Sequence, residues 1–396
     1  MGSSKLALLG GTPVRSQDST WPKWPMFDDS EKSALIDVLE KTDWWYGDNV
    51  RNFEEEFAAF QGAPYCLTIT SGTTALELCI QALDIGPGDE VIIPPFTFFA
   101  TASAVSRMGA KPVFADIDDS WNIDPDQIEA VITSNTKAIS PVHFSGRICD
   151  MDRINEIAEK HDLYVVEDAC HSWGAKWNGK AAGILGTCGV FSFQAFKNLT
   201  AGEGGAIVTE DGELAAVIQS LINCGREEGG VWYEHYRFGT NARLGEFQAA
   251  LLSTQLNRLP EQQATRVRNA AILDDGLSKI EGLTPQPIDK RQTEHSRHIY
   301  CLRVDPDTFG CSRERLVEAI NAEGLPLGAG YPMPLYKQPA YVKTGDYDNV
   351  QCPVTEDLCY RSALWFSHQY MLAEEQDMHS IIEMFQKVRD NAADLS

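Results

Sequence analysis

The chain has 396 residues and a mass of 43.8 kDa, which is enough for two or three domains. Hydrophobic residues make up 43% and charged residues 23%, an ordinary globular composition that argues against disorder, collagen and coiled coil. With 33 Lys and Arg against 57 Asp and Glu, the net charge is −24, and so acidic a chain is a poor general binder of nucleic acid or anionic membrane.

Ten cysteines are scattered through the chain, and none forms a C-x-x-C pair. We expect them to be buried thiols in a reducing compartment rather than zinc ligands. The first residues, MGSSKLALLGGTPVR, contain a four-residue apolar run, which is too short for the core of a signal peptide. No apolar stretch approaches the roughly 18 residues of a membrane span. These features predict a cytoplasmic protein that binds neither membrane nor nucleic acid.

Short apolar runs alternate with helical segments between about residues 63 and 210. YCLTIT (65–70) predicts a strand, and Ser71 is the expected N-cap of the helix TALELCIQAL. Helices are also predicted over 99–108, from Asp124-Pro125 and from Asp150 to His161. The further predicted strands are EVIIPP (90–95), KPVFADI (111–117), KAISPVH (137–143), LYVVED (163–168), VFSF (190–193) and GAIVTE (205–210). This alternation indicates an α/β fold with a mainly parallel sheet between helix layers, and such sheets carry ligand sites at the carboxyl ends of their strands.

A long helical stretch through EFQAALLSTQLNRL follows after about residue 245. Residues 265–396 predict a smaller α+β domain with a strand at HIYCLRV (298–304) and a last helix near 373–390. We therefore assign residues 1–264 to an N-terminal segment with the large domain, and residues 265–396 to a small C-terminal domain.

Two residues of the large domain are candidates for a catalytic role. Lys197 lies in SFQAFKNLTAGEGGA (192–206), before a glycine-rich turn. Lysines mostly lie on the surface, but a lysine kept partly neutral by burial or by a cationic neighbour can form a Schiff base with an aldehyde cofactor. Asp168 ends an apolar strand in VVEDACHS. It is either the cap of a turn or the carboxylate that keeps a pyridinium nitrogen protonated, as in enzymes that use pyridoxal phosphate (PLP).

Three other features are compatible with a phosphorylated ring. SGTTA (71–75) is a small-residue turn before a helix, where free N–H groups and the helix dipole favour phosphate, although a plain N-cap is the simpler interpretation of this turn alone. Ser192 offers a hydroxyl to the same phosphate. An aromatic residue of PPFTFFAT (94–101) either fills the core or stacks on a flat ring.

Together these segments resemble the DegT/StrS family of PLP-dependent aminotransferases, which act on keto sugars of sugar nucleotides and on keto cyclitols. The resemblance runs from GGTPVR and WPKWP to about residue 345. It rests on SF-x-x-x-K-N-L-T-x-G-E-G-G, SGTTAL, GPGDEVIIPPFTF, NIDPDQIE, VVEDACHS and NARLGEFQAA. It implies the fold of the aspartate-aminotransferase superfamily (fold type I), with PLP as the cofactor and no metal.

The resemblance also implies a role for each matched residue. Lys197 matches the lysine that forms the Schiff base with PLP, and Asp168 matches the partner of the pyridinium nitrogen. The remaining matches would hold the ring or the phosphate: His171 beside the ring, Phe98 on its face, Gly72, Thr73 and Thr74 at the phosphate turn, Ser192 at the phosphate, and Asn241 at the phosphate of a neighbouring subunit. The match at Asn241 implies a homodimer with shared active sites.

The implied reaction transfers an amino group from glutamate or glutamine to a keto sugar or a keto cyclitol through Lys197. Two alternatives to aminotransfer stay open at this stage. WPKWPMFDDSE also resembles the cyclitol branch and the amino-hydroxybenzoate synthases, which use the same lysine in a dehydration that aromatises an aminated ring. The second alternative is a non-catalytic regulatory protein, although such a protein would be expected to have lost Lys197, Asp168 or the phosphate turn. Lys197 argues against the sugar 3-dehydratases, which carry His there.

Two aromatic segments bear on the acceptor. Trp44, Trp45 and Tyr46 either line the substrate pocket or pack in the core or at an interface. The segment CGREEGGVWYEHYRFG (224–239) leads to Asn241 and either touches the neighbour's substrate or orders the interface. Its Arg226 and Arg237 are either anion ligands or members of structural ion pairs.

Overall fold

The computed structural model describes residues 5–16 and 20–395; residues 1–4 of the N-terminal segment, residues 17–19 and residue 396 lie outside the described residues. The helices are α1 (Asp29–Lys41), α2 (Asp48–Gln61), α3 (Gly72–Ala82), α4 (Ala100–Arg107), α5 (Pro125–Ala130), α6 (Met151–His161), α7 (Gly212–Ile222), α8 (Glu246–Leu277), α9 (Pro306–Phe309), α10 (Arg313–Glu323), α11 (Pro339–Val342), α12 (Pro353–Asp357) and α13 (Glu375–Asp390). The strands are β1 (Tyr65–Ile69), β2 (Glu90–Ile93), β3 (Lys111–Phe114), β4 (Thr136–Ile139), β5 (Tyr164–Asp168), β6 (Lys176–Trp177), β7 (Lys180–Ala181), β8 (Cys188–Ser192), β9 (Gly205–Thr209), β10 (Leu283–Pro285), β11 (Gln292–Glu294), β12 (Ile299–Val304) and β13 (Ala363–Ser367).

Side-chain caps begin several helices where the sequence predicts them. The hydroxyl of Ser71 accepts a hydrogen bond from the N–H of Thr74 at the start of α3. Asp124 caps α5 and Asp150 caps α6 in the same manner. These side chains satisfy N–H groups that have no partner within their own helix, which explains why the helices begin at these residues.

A seven-stranded sheet forms the centre of the large domain, in the order β1-β9-β8-β5-β4-β2-β3. β9 runs antiparallel to both of its neighbours, and the other strands of the sheet run in one common direction. The prediction of a mainly parallel sheet is therefore confirmed. As a result, β1, β2, β4, β5 and β8 end at the same edge of the sheet.

Helices cover both faces of this sheet. Alternate residues of a strand point to different layers: Val190 of β8 packs with α3 and α7, whereas Phe191 packs with α2, α6 and α8. Ile207 and Val208 of β9 alternate in the same way. Because both faces are covered, every residue of β8 and β9 is buried. This arrangement is the predicted α/β fold.

The C-terminal part forms its own core around the antiparallel strands β10, β12 and β13, with α10 and α13 packed on them. Helix α8 joins the two cores: Leu259 packs in the large core, and Ala270 packs in the small one. The boundary between residues 264 and 265 falls within this helix and stays a prediction. Leu6 packs in the small core, so the N-terminal segment contacts the small domain.

The cysteines of the chain are all free thiols. None of the helices in the described part of the chain has the length and the apolar composition of a membrane span.

Candidate active site

A cavity of about 360 Å³ opens where the parallel strands end. Asp168 ends β5 and Ser192 ends β8, while Gly72 and Thr73 follow β1, and Phe98 follows β2. All of these residues line the cavity, together with His171 and Lys197. The position agrees with the rule that open parallel sheets bind ligands at the carboxyl ends of their strands. The fold therefore brings together residues that are widely separated in sequence.

Lys197 lies in the loop between β8 and β9, and its side chain is partly buried in the cavity wall. Hydrogen bonds hold this loop from several sides: Trp24 donates to the carbonyl of Ala195 at 3.1 Å, and Asn198 donates to the carbonyl of Ser296 at 2.9 Å. Burial lowers the pKa of the Lys197 ammonium, and Cys170 and Asp168 oppose this lowering. A lysine with a lowered pKa has a larger fraction of neutral, nucleophilic amine at pH 7.

Asp168 is buried and held in a fixed orientation at the end of β5. Its Oδ2 accepts a hydrogen bond from the Thr101 hydroxyl at 2.8 Å, and its Oδ1 accepts one from the Cys170 N–H at 3.3 Å. A carboxylate fixed in this way at the cavity wall has the chemistry needed to pair with a cationic ring nitrogen.

The N-terminus of α3 provides an anion site in the same wall. The Ser71 hydroxyl accepts a hydrogen bond from the N–H of Thr74. The N–H groups of Gly72 and Thr73 have no partner within the helix. Ser192 lies directly beside this turn, because a Cβ added to Gly72 would stand 2.9 Å from the Ser192 Cβ. Only glycine allows the helix N-terminus and the serine hydroxyl to converge here. The arrangement suits a phosphate.

His171 and Phe98 differ strongly in their exposure at the cavity wall. His171 is buried, and burial lowers its pKa well below 6.5, with Lys197 adding to the effect. Phe98 is 62% exposed, so its ring is free on the cavity side. A planar ligand between Phe98 and the strand ends would cover this apolar face.

Two of the predicted binding residues do not line the cavity of their own chain. The Thr74 side chain is engaged with the Ser71 hydroxyl, at 3.0 Å between the two oxygens. Asn241 is exposed and pairs through its backbone with Asn223. Its exposure is compatible with a contact to a second subunit. Trp44 and Trp45 also lie outside the cavity and are 51% and 59% exposed.

Several lining residues escaped the sequence interpretation. Thr101 does not line the cavity itself but donates to Asp168; it lies in PPFTFFAT, where only the aromatic residues are predicted to contact a ligand. Cys170 lies two residues after Asp168, and Glu203 lies in the glycine-rich turn after Lys197, so proximity to the motifs could have revealed both. His298 comes from the C-terminal part of the chain and had no motif to mark it. The lining residues that are not among the predicted site residues are Ser71, which the sequence predicts as the N-cap, and Leu76, Thr97, Ala100, Val142, Cys170, Gln194, Phe196, Glu203 and His298.

Comparison with known sequences decides the family. Residues 25–386 match the sequence model of the DegT/DnrJ/EryC1/StrS aminotransferase family. The chain belongs to this family. It is therefore a PLP-dependent aminotransferase of fold type I, as the sequence resemblance implies.

Individual relatives from this family cover almost the whole chain. The chain is 38% identical to the 3-amino-5-hydroxybenzoate synthase of Amycolatopsis mediterranei (strain S699), over 92% of this chain and 96% of that protein. It is 36% identical to the L-glutamine:2-deoxy-scyllo-inosose aminotransferase of Streptomyces kanamyceticus, over 100% of this chain and 99% of that protein. The crystal structure of a 3-amino-5-hydroxybenzoic acid synthase superposes with a TM-score of 0.88 at 37% identity, covering 95% of this chain and 99% of that one.

The cavity fits the cofactor of the family. PLP carries an aldehyde, a ring nitrogen and a phosphate, and the wall offers an amine at Lys197, a carboxylate at Asp168 and an anion site at Gly72, Thr73 and Ser192. The close approach at Gly72 makes room for this anion site.

The lowered pKa of Lys197 predicts how stability depends on pH in the cofactor-free protein. Because the pKa is lower in the folded state than the 10.5 of a free lysine, the unfolded state binds the proton more strongly. The resulting destabilisation is full below the folded pKa and disappears as the pH rises to about 10.5. Lys197→Met should therefore unfold at a higher temperature than the wild type at pH 7, and this advantage should vanish near pH 10.5.

Thermal unfolding of both proteins across this pH range measures the effect. Lys137→Met is the matched control, because Lys137 is exposed on β4 and its replacement should give a difference that does not vary with pH. If the difference in unfolding temperature between Lys197→Met and the wild type varied with pH as little as that of the control, the result would contradict the burial of the Lys197 amine.

Proposed function

We propose that this aminotransferase moves the amino group of glutamine to an uncharged keto cyclitol. The proposal rests on the site built around Lys197, Asp168 and the α3 N-terminus, and on the charges that surround it. What supports it most is the scarcity of cations in the cavity. The relative from Streptomyces kanamyceticus, whose name gives glutamine and 2-deoxy-scyllo-inosose, agrees with this choice.

The residues of the cavity have distinct tasks in this proposal. PLP supplies an aldehyde that bonds to amines and a ring that withdraws electrons from the attached carbon. Lys197 Nζ is the amine that would hold the aldehyde, and in its neutral form it would be the base that takes the proton from the α carbon of the amino donor. Asp168 would keep the ring nitrogen protonated, and His171 and Phe98 would hold the ring. Gly72, Thr73 and Ser192 bind the phosphate.

The described residues that line the cavity include no lysine or arginine other than Lys197, which the cofactor occupies. Two carboxylates, Asp168 and Glu203, line the same cavity. His171 and His298 add no positive charge, because burial lowers the pKa of both well below 6.5. A substrate anion brought into this cavity would lose water without gaining a cation as its partner, which costs free energy.

The exposed loop of residues 224–239, which leads to Asn241, does not supply the missing cations. Arg237 is paired with Glu227 at 2.7 Å. The loop carries two arginines against three glutamates, namely Arg226 and Arg237 against Glu227, Glu228 and Glu234. A second subunit that presents this loop to the cavity would therefore add net negative charge.

This charge balance ranks the candidate substrates. Glutamate and glutamine share the α-carboxylate, but glutamate brings a second carboxylate, so the cavity favours glutamine. A sugar nucleotide brings a charged diphosphate, whereas a cyclitol ring is uncharged. Hydrogen-bonding hydroxyls are compatible with this cavity, whereas each anion beyond the α-carboxylate that both donors share costs further free energy.

We also propose that the protein is a homodimer with shared active sites, in a reducing compartment such as the cytoplasm. Asn241 is exposed, and the loop before it presents several exposed apolar and aromatic side chains. Trp232 is 79% exposed and Phe238 is 98% exposed, a degree of apolar exposure that is typical of an interaction surface. The free cysteines are consistent with reducing conditions.

The two half-reactions test the substrates separately. The cofactor-loaded enzyme should lose its visible absorbance band with glutamine at least about tenfold faster than with glutamate. The amino form obtained in this way should regain the band with 2-deoxy-scyllo-inosose, and at least about tenfold more slowly with a nucleoside-diphosphate-linked keto sugar. Stopped-flow absorbance measures both rates.

Glu203→Gln should narrow the preference for glutamine over glutamate, because it removes one carboxylate from the cavity wall. Glu159→Gln, on the exposed side of α6, is the matched control and should leave the ratio unchanged. A preference for the nucleotide-linked sugar would refute the uncharged acceptor. Formation of an aromatic product would instead favour the amino-hydroxybenzoate synthase activity that the first relative's name describes.

A mixture of two variants with different defects in cofactor binding tests the shared site. Lys197→Ala removes the amine, and Asn241→Ala weakens cofactor retention. If Asn241 serves the neighbouring subunit, a heterodimer of these variants has one site with both residues and one with neither. We expect such heterodimers to retain PLP at half of their sites with wild-type affinity, measured by cofactor titration. If Asn241 serves its own subunit, no intact site forms and the mixture binds PLP weakly.

A further inference from the structure

His298 is the C-terminal domain's contribution to the cavity wall among the described residues. It precedes β12, and its backbone N–H donates to the carbonyl of Ser145 at 2.9 Å. Its ring is buried and lies 4.3 Å from the ring of His171, centroid to centroid. Trp173 packs on its edge at 5.6 Å. The imidazole therefore has a fixed position beside Lys197, yet neither the sequence motifs nor the proposed roles make use of it.

The hydrogen bonds around Asn198 determine which nitrogen of His298 carries the proton. The Asn198 amide nitrogen donates to the carbonyl of Ser296 at 2.9 Å, which fixes the orientation of the amide. Its oxygen, a pure acceptor, lies 2.9 Å from His298 Nδ1. Nδ1 must therefore be the donor. In a neutral imidazole only one nitrogen carries a proton, so Nε2 is bare.

The neutral form is the one that burial favours. Burial lowers the pKa of His298 well below 6.5, and the charges of Lys197 and Arg266 and the neighbouring imidazoles His171 and His368 lower it further. Within the described part of the chain, Nε2 has no hydrogen-bond partner, in contrast to Nδ1. The cavity wall thus holds a hydrogen-bond acceptor that no protein group satisfies.

His171 has the opposite tautomer. Its Nδ1 accepts the N–H of Ser145 at 3.3 Å, so its proton lies on Nε2. The same short segment at Ser145 thus holds both imidazoles, through its N–H to His171 and through its carbonyl to His298. Two adjacent, tilted rings thus present one donor and one acceptor to the same cavity. Such a pair distinguishes ligand groups that donate from groups that accept.

We propose that His298 is a substrate-binding residue whose bare Nε2 accepts a hydrogen bond from an N–H or O–H group of a substrate beside Lys197. The inference rests on the proposed function, because it needs substrates that carry such groups. Two sources fit this chemistry: the amino group of the donor and a ring hydroxyl of the acceptor. A site built to bind a hydroxyl or amine disfavours analogues that lack it, because the buried acceptor would then stay unpaired.

The tautomer can be tested without any reaction. Nitrogen NMR of the cofactor-free protein, with ¹⁵N-labelled histidine, distinguishes a protonated ring nitrogen from a bare one. We expect His298 to have a protonated Nδ1 and a bare Nε2 at neutral pH. Asn198→Ala removes the acceptor of the Nδ1 proton and should give a mixture of tautomers. A protonated Nε2 in the wild type, or an unchanged tautomer in Asn198→Ala, would overturn the assignment.

His298→Asn tests the contact with substrate, because an asparagine amide can keep the hydrogen bond to Asn198 while Nε2 is removed. In single-turnover measurements we determine the ratio of the rate constant to the substrate dissociation constant. We expect this ratio to fall about three- to tenfold if His298 contacts a hydroxyl group, and about ten- to a hundredfold if it contacts an ammonium group. A loss with glutamine identifies the amino group, and a loss with the cyclitol identifies a hydroxyl.

His295→Asn is the matched control, since His295 is also buried but does not line the cavity. It should leave both half-reactions unchanged even where it lowers thermal stability. Unchanged half-reactions in His298→Asn, or equal losses in both variants, would refute the substrate contact. If the wild type itself fails to react with glutamine, the proposed function fails, whereas the tautomer measurement still stands on its own.

Discussion

The active site depends on the removal of one lysine amine from water. Burial lowers the pKa of Lys197, and a neutral amine is what its proposed chemistry requires. The loop around it is held by hydrogen bonds from the N-terminal segment through Trp24 and to the C-terminal part through Asn198. Parts of the chain that are far apart in sequence therefore cooperate to keep this one side chain in place.

The parallel sheet provides the remaining geometry. Its strands end at one edge, so Asp168, Ser192 and the turn at Gly72 meet around Lys197 although they come from different strands. The carboxylate, the amine and the helix N-terminus match the chemical groups of PLP, and the described residues of the wall include no cation besides Lys197. In our proposal the phosphate of the cofactor is bound by the helix N-terminus and Ser192, whereas a substrate anion meets no cation of its own among the described residues of the wall.

The sequence predicted most of this architecture because the responsible signals are local. Alternating apolar runs marked the strands, Ser71 marked the start of α3, and the motifs around Lys197 and Asp168 marked the cavity. The antiparallel direction of β9 was not predicted, because a strand pattern carries no information on direction. His298 was missed for a related reason: its position beside His171 arises from packing between domains, and its tautomer arises from Asn198, a hundred residues away in sequence.

Reduction of the cofactor-loaded protein with borohydride, followed by peptide mass spectrometry, tests the central claim most directly. The reduction makes the bond between PLP and its lysine permanent, so the mass of the modified peptide identifies that lysine. The account predicts one modified site per chain, at Lys197 in the peptide that contains SFQAFKNLTAGEGG. Modification of a different lysine, with Lys197 unmodified, would contradict it.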